Sequence, residues 1–339
     1  MSIFLKSAPC SGDTVMLQGF PAYFLAPLPV MSPPGAPLLS PELILRHDEV
    51  TLDIGQGKAD RDIAFQVRCV IGFLYLFSAI FIAAGMQDGE LERLETILIL
   101  IVLLIGLLVS GSLFSWQVMR RRQRPMIRFN RQRRELCYWK PGCDTPRFVP
   151  WESLVAYVYA GEALGATAIG KPIKMDAHSL RLAEYREQDR SLHCFYQGEG
   201  NIIVNFALEN WEAIRRFMDE PKECWLSVKP LPDRQSFLNR RRGLWQRFVA
   251  NPNKRWLHIN LRDYSESWLV MGCYYVIHML FWWQVPYLIS AWYLRLAVFR
   301  PWPQAVQQWC KPLPEHQWAK PSEQYLKARA AFLARKEHQ

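Results

Sequence analysis

The sequence predicts an α+β membrane protein: a two-helix transmembrane hairpin, a cytoplasmic antiparallel β domain closed by one helix, and a C-terminal apolar helical region. Three observations predict it. Two long runs without charge flank a short acidic connector. An arginine-dense stretch, QVMRRRQRPMIRFNRQRREL (Gln117 to Leu136), directly follows the second run. Beyond it, short alternating segments succeed one another until one amphipathic helical pattern appears.

At 339 residues, the chain suits two or three units. Half its residues are hydrophobic and 13% aromatic, which excludes a disordered chain. A net charge of +10 points to an anionic neighbour, either lipid or nucleic acid. The cysteines form no C-x-x-C pair. Cys137 and Cys143 could pair across a hairpin, but the remaining spacings show no framework, which favours reduced thiols in a cytoplasmic setting.

Residues 1–60 read as a Pro-rich N-terminal arm. Ser7, Pro9, Ser11, Gly12 and Asp13 interrupt the apolar residues at the start, so no signal peptide is expected. Pro21, Pro27, Pro29, Pro33, Pro34, Pro37 and Pro41 forbid a continuous helix and predict an extended, polyproline-like arm lying along the rest of the protein.

Residues 61–124 form the expected hairpin. Cys69 to Met86 and Ile97 to Met119 carry no charge. As helices they measure about 27 and about 35 Å, enough to cross a bilayer, and the second shows no polar stripe. The connector QDGELERLET is rich in acid and short, which makes the helices antiparallel neighbours. Lys58, Arg61 and Arg68 precede the pair and the arginine run follows it. The positive-inside bias therefore puts the connector outside, with both termini and the main domain in the cytoplasm. Arg120, Arg121, Arg122 and Arg124 are expected at the membrane interface. Gly106, Ser110, Gly111 and Ser112 offer a small-residue face for close helix packing, and a homodimer through this face is open.

Residues 125–222 form the expected β-rich domain. Met126 to Asn130 and Glu135 to Trp139 alternate on either side of a basic turn, Arg131 to Arg134. Further strands are expected at 148–149, 154–159, 180–185, 192–196 and 202–206. A helix capped by Asn210 should then bury Trp211, Ile214, Phe217 and Met218 and stop before Pro221. Short antiparallel strands closed by one helix describe a PH-like domain.

Residues 223–339 read as a basic, aromatic linker, an apolar region and a tail. Arg240, Arg241, Arg242 and Trp245 interleave charge and ring. The two readings are nucleic acid and anionic lipid; the apolar region nearby favours lipid, and no nucleic-acid partner is expected. Trp268 to Phe299 is apolar and aromatic with Arg255 and Arg262 before it and Arg295 and Arg300 after it. A re-entrant or interfacial pair of short helices broken at Pro286 keeps both basic flanks on one side and is preferred to a single span; packing on the β domain is the third reading.

Chemistry is sparse. Gly165 to Lys171 matches G-x-x-x-x-G-K, but Pro172 replaces the hydroxyl residue that would hold magnesium, so a loop is expected there. His178 and His193 could lie on neighbouring strands without a ligand set around them. His278 lies inside an apolar segment, where an ionisable group usually faces protein or water. No catalytic residue, metal site or cofactor is expected, and the chain is read as a binding protein rather than an enzyme.

The runs Ile127 to Leu136 and Val149 to Leu154, and the pattern Trp211 to Met218, all following a hydrophobic hairpin, resemble a family of proteobacterial inner-membrane proteins encoded beside type VI secretion effectors. The resemblance implies an immunity function: binding and neutralising a cognate effector toxin, conceivably a nuclease, in the cytoplasm. Glu184, Glu187 and Asp189, a local acidic cluster in a basic chain, are the expected toxin-binding residues.

Overall fold

In the computed structural model, which describes residues 2–5, 7–25, 42–57, 60, 62–87, 93–140, 142–143, 145–166, 172–201, 204–228, 231–252, 254–256 and 264–337, the N-terminal segment is a supplier of strands. These are β1 (Ser2–Phe4), β2 (Thr14–Leu17), β3 (Phe20–Phe24), β4 (Ile44–His47) and β5 (Thr51–Ile54). Gln18 and Gly19 turn the β2–β3 hairpin with φ of 53° and 84°, the left-handed pair that a tight two-residue hairpin requires. The extended arm was expected from Pro21 onward, but Pro21 lies within β3. It pairs with Met16 on one side, and β3 meets its other neighbour only from Ala22, so the missing N–H breaks no ladder there. The prolines between 26 and 41 lie outside the described residues.

Two long helices follow, α1 (Ile63–Gln87) and α2 (Arg93–Arg122). The chain then returns as β6 (Met126–Asn130), β7 (Glu135–Trp139), β8 (Arg147–Pro150), β9 (Leu154–Ala166), β10 (Pro172–Arg186) and β11 (Ser191–Gln197), closed by α3 (Val204–Asp219). The sheets are antiparallel, ordered β1-β11-β10-β9-β3-β2 and β4-β5-β6-β7-β8, and together make a nearly closed, barrel-like wall around one core. Trp151, fully buried between β8 and β9, stacks on Trp211 of α3 at 5.4 Å and meets Phe129 edge-on at 6.1 Å. Those three rings plug the sheets with the helix, as an amphipathic helix following a half-open sheet should.

One expected strand is absent. Val204 to Phe206 opens α3, six residues before the expected cap. The apolar residues Ala207, Trp211, Ile214 and Met218 recur at helical spacing and are all buried, and this stripe outweighs the β-leaning Val-Asn-Phe start. Asn210 instead sits inside the helix, where its side chain accepts from the Leu43 N–H at 3.0 Å and donates to the Phe206 carbonyl at 2.8 Å.

The remaining helices are α4 (Arg234–Ala250), α5 (Trp268–Leu280), α6 (Val285–Tyr293), α7 (Gln304–Trp309) and α8 (Glu323–Glu337), with one π turn at Leu294–Val298. Asp233 and Ser236 cap α4 reciprocally. The chain divides into two compact units, a β unit of residues 1–59, 124–229 and 301–339 and a helical unit of 60–123 and 230–300. Each is discontinuous, unlike the serial arrangement of segments expected from the sequence. The reason is topological: α1 and α2 are inserted between β5 and β6, which are adjacent antiparallel strands.

Within the helical unit α1 and α2 run antiparallel. Asp60 lies 3.6 Å from Arg121, and a Cβ on Gly106 would come within 2.9 Å of Leu74 Cδ2. The small-residue face thus serves the hairpin itself at Gly106, while nothing lies within 4 Å of a Cβ at Gly111. Among the described residues one window, Ile63–Ile80, is long and apolar enough to cross a bilayer, with mean hydropathy 1.9 and only 17% of it buried. The connector residues 88–92 lie outside the described residues, and Arg93 to Thr96 belong to α2.

The third apolar region is a broken helix, as expected, but the break precedes Pro286. Trp282 and Trp283 both take φ of 56°, and the Trp283 N–H closes α5 onto the His278 carbonyl at 2.6 Å. Two consecutive left-handed residues end a helix without help from proline. Pro286 falls in the first turn of α6, where its missing N–H costs nothing.

Asp53 and Arg128 face each other across β5 and β6, each 7% exposed, joined at 2.5 and 2.6 Å. Asp53→Ala should cost about 3–5 kcal/mol, because it strands a buried guanidinium. Asp53→Leu with Arg128→Met should recover most of that loss. Denaturant titration of the detergent-solubilised chain, followed by tryptophan fluorescence, measures both; a double variant no better than the single one would refute the cause.

Candidate functional site

The arginines that dominate the sequence separate into different surroundings. Arg120 lies over Trp116 at 5.3 Å, Arg121 pairs with Asp60, and the Arg122 carbonyl accepts from Arg300. These three end α2 in the helical unit. Arg124 belongs to the β unit and donates to Gln56.

Arg131 to Arg134 do form the β6–β7 turn, with φ of 50° at Arg134. Yet the turn is half-buried to buried, because the C-terminal segment lies on it. Arg131 donates to the Glu220 carbonyl at 3.0 Å and covers the Trp225 ring at 4.9 Å. Arg133 donates to the Trp309 carbonyl at 3.0 Å, and Gln132 receives Leu313 N–H at 2.7 Å. Arg134 reaches Asp219 at 2.8 Å and Glu152 at 3.4 Å and lies over Tyr325 of α8. Tyr325 donates to Asp219 at 2.6 Å. This turn is a clamp for residues 301–337.

The acidic trio is not a single patch. Glu184, in β10, lies 3.9 Å from Arg147. Asp189 accepts from the Ser191 hydroxyl at 2.7 Å and the Ser191 N–H at 3.1 Å, and those bonds hold its carboxyl below the usual range. It is a turn-forming residue between β10 and β11. Glu187 is exposed and lines a cavity of about 260 Å³ with Cys10, Glu152 and Tyr185. The loop 161–174 lies at the opposite end of β10, and its residues 167–171 lie outside the described residues. Pro172 opens β10 rather than a helix, so the strand-to-helix context of a phosphate-binding loop is lacking.

Among the described residues no cluster of three His, Cys, Asp or Glu could hold a metal, and the cysteines are free thiols. Cys137 is fully buried, which pushes its thiol up to about 12, far from a reactive thiolate. His178 pairs with Ala160 and bridges Asn201, whereas His193 stands opposite Glu184, so these histidines do not meet.

The helical unit holds a cavity of about 600 Å³ lined by Arg68, Arg240, Arg247, Tyr274, His278 and Tyr287, with Leu244, Val270 and Ile277 as apolar walls. Arg240, Leu244 and Arg247 recur at helical spacing on α4, and the buried Phe237, Leu244 and Phe248 hold that helix in place. Arg68 is anchored by the Tyr287 hydroxyl at 2.6 Å and lies over its ring at 5.1 Å. Phe237 stacks on Tyr287 at 4.6 Å and flanks His278 at 5.3 Å. Among the described residues no carboxylate lines the cavity. Around it, Arg241 covers Trp283 at 5.5 Å and Trp245 meets Tyr275 edge-on at 6.1 Å, leaving Trp245 half exposed and Arg242 exposed. Sequence reading had singled out Arg68, Arg240 and His278 separately. Nothing in the chain order signals that Arg68, from α1, completes their ring.

Comparisons with family models, curated proteins and solved structures gave no match.

The buried charges of α3 set an acid limit on the β unit. Burial alone would raise the carboxyl of Glu212, but hydrogen bonds from Arg215 at 2.7 and 2.9 Å and from Arg216 at 2.9 Å hold it below its ordinary 4.5. A depressed carboxylate stabilises the fold above its unfolded value and loses that contribution as pH falls through its folded value. Melting temperature should therefore drop as pH falls below the ordinary carboxylate value of 4.5, with a shallower drop in Glu212→Gln. Identical pH slopes in the two proteins would show that this group carries none of the effect.

Proposed function

We propose that the chain is a membrane-anchored immunity protein. On this reading α1 and α2 cross a bacterial inner membrane as a hairpin. The β unit, which we read as PH-like, stays in the cytoplasm with both termini and binds a type VI effector toxin. It acts by binding, not by catalysis.

The observation that carries the membrane part is apolar exposure. On α1, Phe73, Leu76 and Ile80 are each more than half exposed; on α2, so are Ile97, Leu104, Ile105, Leu107, Leu108 and Val109. At about 100° per residue these six α2 side chains fan over an arc of about 200°, more than half of the circumference. A water-facing helix would show a polar stripe, and a buried one would not be exposed. The depth of the broken helix supports a re-entrant pair. The Trp282 indole donates to the Tyr75 hydroxyl at 2.8 Å, and Phe281 packs where a Cβ on Gly72 would lie, at 3.4 Å. Tyr75 stands about 18 Å along α1 from Ile63, roughly halfway through a core about 30 Å thick. There the chain turns back, and Tyr293 joins Ile63 and Phe114 in one cluster.

The immunity part rests on the family resemblance of the Ile127–Leu136, Val149–Leu154 and Trp211–Met218 segments. The proposed toxin-facing surface is the β9–β10 hairpin with Glu184, Glu187 and the β10–β11 turn. Cells producing the effector encoded beside this gene should survive when they carry the chain and die without it. Replacing Glu187 by Lys should weaken co-purification of the effector about tenfold or more, the usual range for a charge reversal at an interface core. Protection retained at full strength after replacement of the whole 161–190 surface would reject that surface.

A further inference from the structure

We propose that the arginine cavity of the helical unit is a binding site for the phosphate of an anionic phospholipid, with the acyl chains lying along the outer face of α5. The proposal rests on the membrane reading and adds a ligand to it.

Three guanidinium groups from two helices line one space, Arg68 from α1 and Arg240 and Arg247 from α4, and among the described residues no acidic side chain lines it. Among the described residues none of the three has a carboxylate within salt-bridge distance. Like charges gathered without a counter-ion repel one another, so an anion bound between them would be attracted by all three. Two buried polar atoms repeat the signal. The Arg68 Nε and the His278 Nδ1 have no hydrogen-bond partner, and His278 is 8% exposed. Buried polar atoms are nearly always paired, so two unpaired ones lining one cavity point to an absent ligand.

The cavity volume of about 600 Å³ lies within the usual range for ligand sites, about 300–1,000 Å³, and far exceeds one phosphate. Its other walls, Leu244, Val270 and Ile277, are hydrocarbon and would not suit a free inorganic ion. From Ile277 the apolar surface continues outward: Val276 is 52% exposed, Met279 65% and Leu280 49%. A ligand with an anionic head and hydrocarbon tails matches both halves. The depth also agrees, because Arg68 stands only about 8 Å along α1 from Ile63, near the end where Arg121 and Arg122 lie. Cytoplasmic leaflets carry anionic lipid at that level.

The test uses the full chain in nanodiscs of phosphatidylcholine containing zero or about 20% phosphatidylglycerol, a level typical of the anionic surfaces that basic clusters read. Lipid retained after delipidation is counted by native mass spectrometry. The wild type should retain phosphatidylglycerol in preference to phosphatidylcholine. Combined Arg68→Gln, Arg240→Gln and Arg247→Gln should reduce that retention about tenfold or more, since each charge-assisted bond to phosphate is lost. Lys320→Gln, an exposed residue of the β unit, should leave it unchanged. If the triple variant does not fold, Arg247→Gln alone carries the test, because its exposed side chain has no protein partner to lose. Retention unaffected by these substitutions overturns the site. Displacement of the lipid by millimolar inorganic phosphate overturns the lipid and leaves a soluble-anion site. Release of the wild-type chain from membranes by alkaline carbonate would overturn the membrane reading itself, a failure distinct from the other two.

Discussion

The cross-strand pair of Asp53 and Arg128 is the constraint on which the β unit depends. β5 and β6 are adjacent antiparallel strands, yet a helical excursion separates them in sequence. An ordinary hairpin fixes register through its turn. Here no short turn exists, so register must come from the strands themselves. Burial opposes the charge on Arg128, and the bidentate Asp53 carboxylate more than offsets it, holding the guanidinium's pKa above its ordinary value. A slip by one residue would turn both charges to the opposite face and leave them unpaired, which makes the pair a register lock. Arg46 from β4 binds the same carboxylate at 2.7 Å, so the lock extends over three strands.

The same logic explains the C-terminus. After the second helical excursion the chain re-enters the β unit at residue 301. Trp302 lies under Arg128 at 5.0 Å, Trp309 donates to Glu135 at 2.8 Å, and Tyr325 completes the group around Asp219. The returning segment is held mainly by hydrogen bonds and ring–cation contacts to the β6–β7 hairpin. A tail so attached closes the sheet edge region without adding a strand, which leaves the barrel-like wall dependent on side-chain bonding at that turn.

What the sequence revealed depended on the range of the forces involved. The two long helices α1 and α2 were legible because solvent preference acts residue by residue, and long uncharged runs announce themselves as helices. The broken third region was legible from its symmetric basic flanks. The site of its break was not, since two left-handed tryptophans have no sequence signature and proline drew attention instead. Strands β1 to β5 were missed for a different cause. They are short, interrupted by Pro and Gly, and stabilised by partners far away in sequence, such as Ser2 opposite His193. Local patterning carries little of that information. The start of α3 at Val204 shows the opposite balance, a β-leaning tripeptide overruled by the buried stripe that follows. The arginine cavity was invisible for the first cause and the last together: its charges are read as topology or lipid contact one by one, and only folding shows that they converge.

The arginine-dense stretch from Gln117 to Leu136 illustrates why residue type outweighs net charge. Arg120 to Arg122 end a helix, where cations oppose the partial negative charge of the helix C-terminus. Arg128, Arg131 and Arg134 are instead structural. Arg134 alone makes bonds to Asp219 and Glu152 and lies over Tyr325, three contacts in different directions. A planar fork of five donors that also stacks on rings can do this; a lysine ammonium cannot spread itself over a carboxylate and an aromatic face together. The stretch contains eight arginines and no lysine. A purely electrostatic anchor would tolerate either residue. Exclusive use of arginine fits a segment that must bond at several points, and its second half does so within the β unit.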